Sequence, residues 1–476
     1  MELHISLVGR KNLSGEIYRQ IRRAIADGRL RPGDCLPASR DLAHSLQVSR
    51  TTVTVAYDRL TSEGFLTSRI GAGTYVSNHF ASGSHESRRE KNEGVLRPKA
   101  VWDSVQVSHA FDKPAAFDFR TGLPDATLFP HETWRRLLNR ELRVNVERAG
   151  VYEHPGGHRG LRDAIARHIG VSRGLQVSAE DVTITSGAQQ ALDLIARALV
   201  EPGERIAFED PGYAPPRLLF NSLGACVYGV PVDEEGIVVD AIPRDTRVVY
   251  VTPSHQYPLG VTMSLSRRLA LLDWAERNNA AIIEDDYDSE FRFEERPLEP
   301  LQTLDTSGRV VYVGSFSKTL LPTLRLGFLV TPSCCTPAVH KAKYVTDWHT
   351  ATLVQAVLAR FIDQGGFARH VRKVGRVYAE RRALITRILM RDFAEHLTIV
   401  PSVAGLHLTA LARSASVEQI SAVFDCAAEL GVQVQRLAKF YSEQPARAGL
   451  LFGYGAIPTT KIEEGLEKLR TCFDYE

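Results

Sequence analysis

A lysine and an arginine stand seven residues apart in GSFSKTLLPTLRLGF, Lys318 and Arg325, just after a β-branched run and among the hydroxyls of Ser315 and Ser317. A lysine in such a turn is either a solvated loop charge or a nucleophile that condenses with a carbonyl, with the arginine holding an anion. Three other stretches bear on the choice. AAIIEDDYDSEF carries acids, Asp285 among them, and Tyr287 at the end of an apolar run. RIAFEDPGY ends in Tyr213 behind a Pro-Gly turn. VTITSGAQQALDL passes through Ser-Gly into a helical pattern, where the amides of Gly187, Ala188 and Gln189 suit a phosphate.

The elements that must position these residues follow from the pattern. From AFDFRTGLPD onward, apolar strand-like runs alternate with helical ones, which predicts a mostly parallel α/β sheet. The tips of parallel strands converge on one crevice, where ligands bind. Acids at a buried strand end are costly unless they meet a cation or a donor. Singly, each stretch has an ordinary reading: a packed tyrosine, a common strand–turn–helix, a loop lysine. Together they are the parts needed to hold pyridoxal 5′-phosphate: a lysine for its aldehyde, an acid for its ring nitrogen, a hydroxyl beside O3′, and amides with a cation for its phosphate.

The chain has 476 residues, 44% hydrophobic and 24% charged, which fits two or three globular domains. No apolar run has the length of a membrane span, and the N-terminus lacks the order of a signal peptide. Six cysteines without CxxC pairs read as reduced thiols in a cytoplasm. The net charge of +2 is uneven. Residues 1–80 hold eleven Lys/Arg against seven Asp/Glu, residues 81–100 add a further +2, and the remainder carries −4. A basic front suggests a polyanion partner. Residues 79–114 read as a polar linker.

In the front segment, Ser14 is a candidate N-cap for a helix with Ile17, Ile21 and Ile25 inside. ASRDLAHSL and SRTTVTVAYDRLTSEGF, the latter capped by Ser49, form two helices around a short turn, a helix-turn-helix. FLTSRIGAGTYVS then reads as a two-stranded wing with Gly71 and Gly73 at its tip. The third helix exposes Arg50, Thr51, Thr52 and Thr54 in its first turns, a set suited to phosphates and base edges. The alternative is a three-helix protein-interaction domain.

LPASRDLAHSLQVSRTTVTVAYDRLTSEGFLTSRIGAGTYV resembles the GntR-type winged helix-turn-helix family. The resemblance implies that Arg40 contacts backbone phosphate, that Arg50, Thr51 and Thr52 enter or flank the major groove, and that the wing reaches the minor groove. Some relatives carry an arginine where this chain has Thr54. SGAQQ, DPGY, EDDYDSEF and GSFSKTLLPTLRLGF resemble the fold-type I aminotransferases. That resemblance implies an internal aldimine on Lys318, Asp285 at the pyridine nitrogen, Tyr287 at O3′ and Tyr213 stacked on the ring. Arg325, Ser315, Ser317 and the Ala188–Gln189 amides would hold the phosphate. His255 falls where aminotransferases place an asparagine near O3′. Arg436 and Arg447 are the candidates for gripping an effector carboxylate.

The order of the two parts resembles the MocR/GabR family of bacterial transcription regulators. Expected are a winged helix at 10–78, a linker at 79–114 and an aminotransferase-like domain at 115–476, its smaller α+β part from about 390. The implied protein is cytoplasmic, meets the nucleoid when on DNA, and forms a head-to-tail homodimer. It binds a double-stranded operator and senses an amino compound or the cofactor itself through an aldimine on Lys318. No catalytic residue and no metal are assigned. The rival readings are an active aminotransferase with a DNA-binding appendage and an inert dimerisation scaffold.

Overall fold

The computed structural model describes residues 5–7, 12–69, 73–77, 97–105, 115–144, 151–293, 299–442 and 446–474. It divides into two compact units, Met1–Lys99 and Ala100–Glu476.

In the first unit, helix α1 (Leu13–Ala26) precedes strand β1 (Cys35–Leu36), helices α2 (Ser39–Ser45) and α3 (Arg50–Ser62), and strands β2 (Leu66–Arg69) and β3 (Gly73–Val76). Ile17, Ile21 and Ile25 share the inner face of α1 and meet Leu42, Val53 and Leu60. Helix α1 starts before Ser14, at an N-cap Asn12 with left-handed backbone and no side-chain cap bond, which corrects the expected Ser14 cap. Its apolar face, rather than a cap, holds this helix in place. Ser49 does cap α3, its Oγ accepting from the Thr52 amide at 3.1 Å. Strand β3 pairs antiparallel with β2 and also with β1, so the expected two-stranded wing has a third strand.

The second unit opens with strand β4 (Phe117–Asp118) and helices α4 (His131–Val144) and α5 (Arg159–Arg173). There follow β5 (Val182–Thr185), α6 (Ala188–Leu199), β6 (Arg205–Asp210), α7 (Ala214–Ser222), β7 (Cys226–Asp233), β8 (Gly236–Ile237) and β9 (Thr246–Val251). Then come α8 (Leu265–Arg277), β10 (Ala281–Asp286), α9 (Leu301–Leu304), β11 (Val310–Ser315) and β12 (Gly327–Val330). Eight strands form one sheet in the order β5-β12-β11-β10-β9-β6-β7-β8. Its centre, from β11 to β7, is parallel, and β12 runs antiparallel to both neighbours. Ile283, Val311 and Val313 pack against Leu192 and Ile195 of α6, while Ile282 and Val310 pack against Leu271 and Trp274 of α8. Helices on both faces explain why these strands read as unbroken apolar runs.

The chain continues through α10 (Thr336–Thr346), α11 (Thr352–Asp363) and the long α12 (Gly366–Asp392). A smaller layer contains β13 (Leu397–Ile399), β14 (His407–Ala412), α13 (Val417–Glu429), β15 (Val432–Gln433), β16 (Gln435–Arg436), β17 (Gly449–Gly453) and α14 (Ile462–Thr471). Its core also takes Phe117 and Phe119 from the start of the unit and Val374, Tyr378 and Ile385 from α12. The smaller layer, expected from about residue 390, thus shares its core with residues that precede it. Strand β4 finds its parallel partner only in β15, a pairing between distant parts of the chain.

Two further expectations change. Ala100–Ser104, inside the expected linker, forms a 3-10 turn belonging to the second unit; 79–96 and 106–114 lie outside the described residues. Cys426 and Cys472 form a disulfide across 46 residues, correcting the reading of six reduced thiols. Packing of α13 beside α14 brings their Cα atoms to 5.9 Å, within bridging range. Among the described residues no helix is long and apolar enough to cross a membrane.

Candidate functional site

Strands β9, β10 and β11 are parallel neighbours, so the residues beyond their carboxyl ends stand side by side. Four acids cluster at the end of β10, and alternation sends successive ones to opposite faces. Glu284 accepts the Leu301 and Gln302 amides at 2.9 and 3.0 Å and so caps α9; burial pushes its carboxyl up to about 7. Asp286 accepts Arg173 Nε at 3.0 Å and the Tyr312 hydroxyl. Asp288 accepts His255 Nδ1 at 3.0 Å and the Leu406 amide at 3.2 Å.

Asp285 is different. One oxygen, Oδ2, accepts the Tyr250 hydroxyl at 2.6 Å, while Oδ1 is buried with no partner. Burial pushes this carboxyl up to about 6, with Asp286 and Asp288 adding to the shift and Tyr250 and Lys318 opposing it. The Lys318 ammonium is in turn made less favourable by burial, against the pull of Asp288 and Asp285. Lys318 Nζ donates to the Gly122 carbonyl at 2.7 Å. Gly122 has φ +80°, and a Cβ there would lie 2.9 Å from that amine. Only glycine meets both demands.

Tyr287 is held by its hydroxyl, which donates to the His255 carbonyl at 2.9 Å and lies 3.0 Å from His255 Nδ1. His255 is therefore buried behind the tyrosine, clamped by Asp288, with the His407 ring 4.7 Å away. Gly405 makes room for it, since a Cβ there would overlap the His255 ring at 1.9 Å. Gln256, its neighbour, spends its amide on the Pro211 and Tyr257 carbonyls.

At the other end of the crevice α6 begins at Gly187, which has no side chain to cap the Ala188 and Gln189 amides. Arg325, itself in left-handed backbone, donates to the Ser186 carbonyl at 2.7 Å, and a Cβ on Gly187 would collide with its guanidinium. Ser315 Oγ accepts the Ser317 amide at 3.1 Å. Tyr213 is 38% exposed at the N-cap of α7, edge-on to Tyr257 at 5.6 Å. The Tyr257 hydroxyl lies 2.8 Å from Thr121 Oγ1. Gly122, Tyr250 and Tyr257 escaped sequence reasoning. The alternation of RVVYVTP, with Tyr250 one strand over from the acids, was the available signal for one of them.

In the first unit, Arg40, Arg50 and Thr51 are exposed and Thr52 and Thr54 half-buried. The Thr54 hydroxyl donates back to the Arg50 carbonyl at 3.0 Å, which leaves it as an acceptor only. Arg50 Nε points to Ser39 Oγ at 3.4 Å, and Thr52 Oγ1 lies 2.8 Å from Ser49 Oγ. Gly73 is exposed at the start of β3; Gly71 lies outside the described residues.

Residues 13–76 match the bacterial regulatory proteins of the gntR family, and residues 124–468 match aminotransferase class I and II. The probable rhizopine catabolism regulatory protein MocR of Rhizobium meliloti is 36% identical, covering 96% of this chain and 93% of its own. The pyridoxine biosynthesis transcriptional regulator PdxR of Corynebacterium glutamicum is 32% identical over 93% and 91%. This chain belongs to the MocR-type regulators of the GntR family. Like other MocR-type chains, it joins a helix-turn-helix to an aminotransferase-like unit and is a transcriptional regulator.

Two solved aminotransferases are similar to this chain. Kynurenine aminotransferase of Pyrococcus horikoshii, in complex with PMP, is 27% identical with a TM-score of 0.71, covering 82% of this chain and 98% of its own. LysN, the α-aminoadipate aminotransferase of Thermus thermophilus with a phosphopyridoxyl-leucine, is 30% identical with a TM-score of 0.68, covering 75% and 91%. The residues of this MocR-type chain fit such a group: a lone buried carboxylate oxygen for a ring N–H, a lysine amine, and free helix-start amides beside an arginine. Of the two arginines considered for an effector, Arg436 donates to Ser421 Oγ at 3.0 Å and covers the Phe424 ring, and Arg447 is exposed.

Proposed function

We propose that Lys318 and Asp285 hold pyridoxal 5′-phosphate in this crevice, and that the regulator senses there an amino compound, or the cofactor itself, and alters its hold on operator DNA. Asp285 Oδ1 carries the reading: a buried carboxylate oxygen without a partner, within electrostatic reach of a lysine amine. When bound, the cofactor supplies an aldehyde that exchanges between the lysine and an incoming amine.

The chain's own groups do the rest. Burial favours the neutral amine of Lys318, the form that reacts, and Gly122 O aims it. Asp285, steadied by Tyr250, keeps a proton on the ring nitrogen. Tyr287 serves the ring-hydroxyl side, and His255 acts through it, because its Nδ1 is already committed to Asp288 and Tyr287. Tyr213 stacks on the ring. Arg325, Ser315, Ser317 and the Ala188 and Gln189 amides take the phosphate. On the DNA side, Arg40, Arg50, Thr51, Thr52 and Thr54 meet the duplex, with Gly73 in the wing.

Two subunits pair head to tail in the cytoplasm. An exposed aromatic patch supports pairing: Tyr152, 74% exposed, stacks on Trp348 at 4.4 Å, and Tyr344, 49% exposed, meets the same ring at 4.7 Å.

The test is a footprint on DNA upstream of the gene, at fixed salt with competitor, with and without cofactor and amino compounds. Arg50→Ala is expected to lose protection while retaining the visible absorbance of bound cofactor. Lys318→Ala is expected to retain protection and lose the response. A Lys318→Ala protein that responds like wild type would sink the sensing reading in favour of a scaffold. The second reading, an active aminotransferase, is favoured by the complete Lys318–Asp285–Tyr287 set; keto acid formed over many turnovers would establish it.

A further inference from the structure

We propose that Lys343 is a positioning residue for the phosphate end of the crevice: through Gln190 it holds the Ser186–Gly187 turn in the shape that takes a phosphate ester. The proposal rests on the cofactor reading above and adds a residue which that reading leaves out.

Lys343 lies on α10 and is the one fully buried lysine among the described residues. Lysine is almost never so buried unless paired, because its ammonium gives up hydration. Here the amine has three donors and three partners. It donates to Asp347 Oδ1 at 2.9 Å, to Thr350 Oγ1 at 3.0 Å and to Gln190 Oε1 at 3.1 Å. Burial pushes the ammonium down from the usual lysine range, and the Asp347 carboxylate opposes that. One turn earlier, Val339 fills the space against Leu192 and Ile195 of α6 with no polar group. Packing between these helices therefore does not call for a lysine.

Gln190, in the first turn of α6, is where the set leads. Its Oε1 also accepts the Ser186 amide at 2.7 Å, and its Nε2 donates to Asp347 Oδ2 at 2.7 Å. Lys343 only donates and the Asp347 carboxylate only accepts, so together they fix which end of the Gln190 amide meets Ser186. A reversed amide would set its NH2 against the Ser186 N–H.

The Ser186 carbonyl accepts Arg325 at 2.7 Å. Ser186 is thus pinned at both backbone groups, by the Lys343–Gln190 pair on one and by the arginine of the phosphate site on the other. The Ala188 and Gln189 amides follow directly after Gly187. Release of the Ser186 amide lets the turn rotate, and those amides and the Arg325 contact move with it. All of these groups serve the phosphate and none serves the pyridine ring. Loss of Lys343 should therefore be felt through the ligand's phosphate alone.

The experiment titrates the full-length protein with pyridoxal 5′-phosphate and with pyridoxal, which has the same ring and aldehyde but no phosphate. Visible absorbance reports binding, and the ratio of the two affinities is the readout. Lys343→Met is expected to bind pyridoxal 5′-phosphate about tenfold more weakly, the scale of one charge-assisted hydrogen bond, with pyridoxal changed by about twofold or less. Gln190→Met should give the same loss while leaving no buried charge, so it tests the proposal even where Lys343→Met folds poorly. The two substitutions combined should be no worse than either, because both act on one turn.

Lys343→Met/Asp347→Asn should keep the loss; recovery there would mean repulsion by an unpaired Asp347 and overturn the proposal. Asp285→Asn, on the ring side, should weaken both ligands alike and leave the ratio unchanged. An unchanged ratio in Lys343→Met and Gln190→Met overturns the proposal. So does an equal loss of both ligands, the mark of a merely structural ion pair. Wild type that binds neither ligand, or Lys318→Ala with wild-type absorbance, would overturn the cofactor reading itself and this proposal with it.

Discussion

Asp285→Asn isolates the cost of the lone carboxylate. Burial raises the Asp285 carboxyl from 3.8 to about 6, and each unit of such a shift is worth about 1.4 kcal/mol, so ionising it in the cofactor-free protein costs about 3 kcal/mol. The sign follows from proton counting. Between pH 3.8 and 6 the unfolded chain has released this proton while the folded chain keeps it, so stability falls as pH rises and the full cost is present above pH 6. About 1.3 kcal/mol of the change lies between pH 5 and 7.

Asparagine removes the titration and leaves an acceptor for Tyr250. Its own burial penalty does not vary with pH, so the informative quantity is the difference between the two proteins across pH. Urea unfolding of cofactor-free wild type and Asp285→Asn at several pH values should show wild type losing about 1.3 kcal/mol relative to the variant from pH 5 to 7. The variant should also bind pyridoxal 5′-phosphate more weakly at pH 7. A stability difference that stays flat from pH 5 to 7 would refute the assignment of Asp285 as a buried carboxylate with an unpartnered oxygen.

Three other outcomes are expected. Tyr250→Phe removes the one donor to Asp285, and should destabilise the cofactor-free protein at pH 7 by about 1.5–3 kcal/mol, with a smaller loss at pH 5 where the carboxyl is mostly protonated. Gly122→Ala places a methyl 2.9 Å from Lys318 Nζ at φ +80°, and should cost about 1–2 kcal/mol in unfolding while displacing the amine, read as weaker cofactor binding. Reduction of Cys426–Cys472 reopens a 46-residue span and should lower stability in denaturant by up to about 4 kcal/mol, whereas a Cys426→Ser/Cys472→Ser double variant should be insensitive to reductant.

Much of the architecture was legible along the chain. The helices of the first unit are announced by local signals: isoleucines recurring every fourth residue in α1 and the Ser49 cap of α3. The strand–turn–helix order of the second unit is likewise local, and it sets Asp285 and Lys318 at neighbouring parallel strand ends, with Ala188 at the same end of β5 beyond the antiparallel β12. Boundaries that depend on distant pairing were not legible. Strand β4 joins β15 across more than 300 residues, and α12 serves two cores, so the smaller layer is not one stretch of sequence.

Residue types and their spacing decided which chemistry was available here: an amine, carboxylates, hydroxyls and amides at the tips of buried strands. The tertiary structure alone decided which of four adjacent acids is free. Glu284, Asp286 and Asp288 each meet partners from distant elements, and only Asp285 keeps an oxygen without one. It also turned His255 from a ring contact into the support of Tyr287. Periodicity is written within one element, but a charge's partner and its burial come from whatever the fold sets beside it.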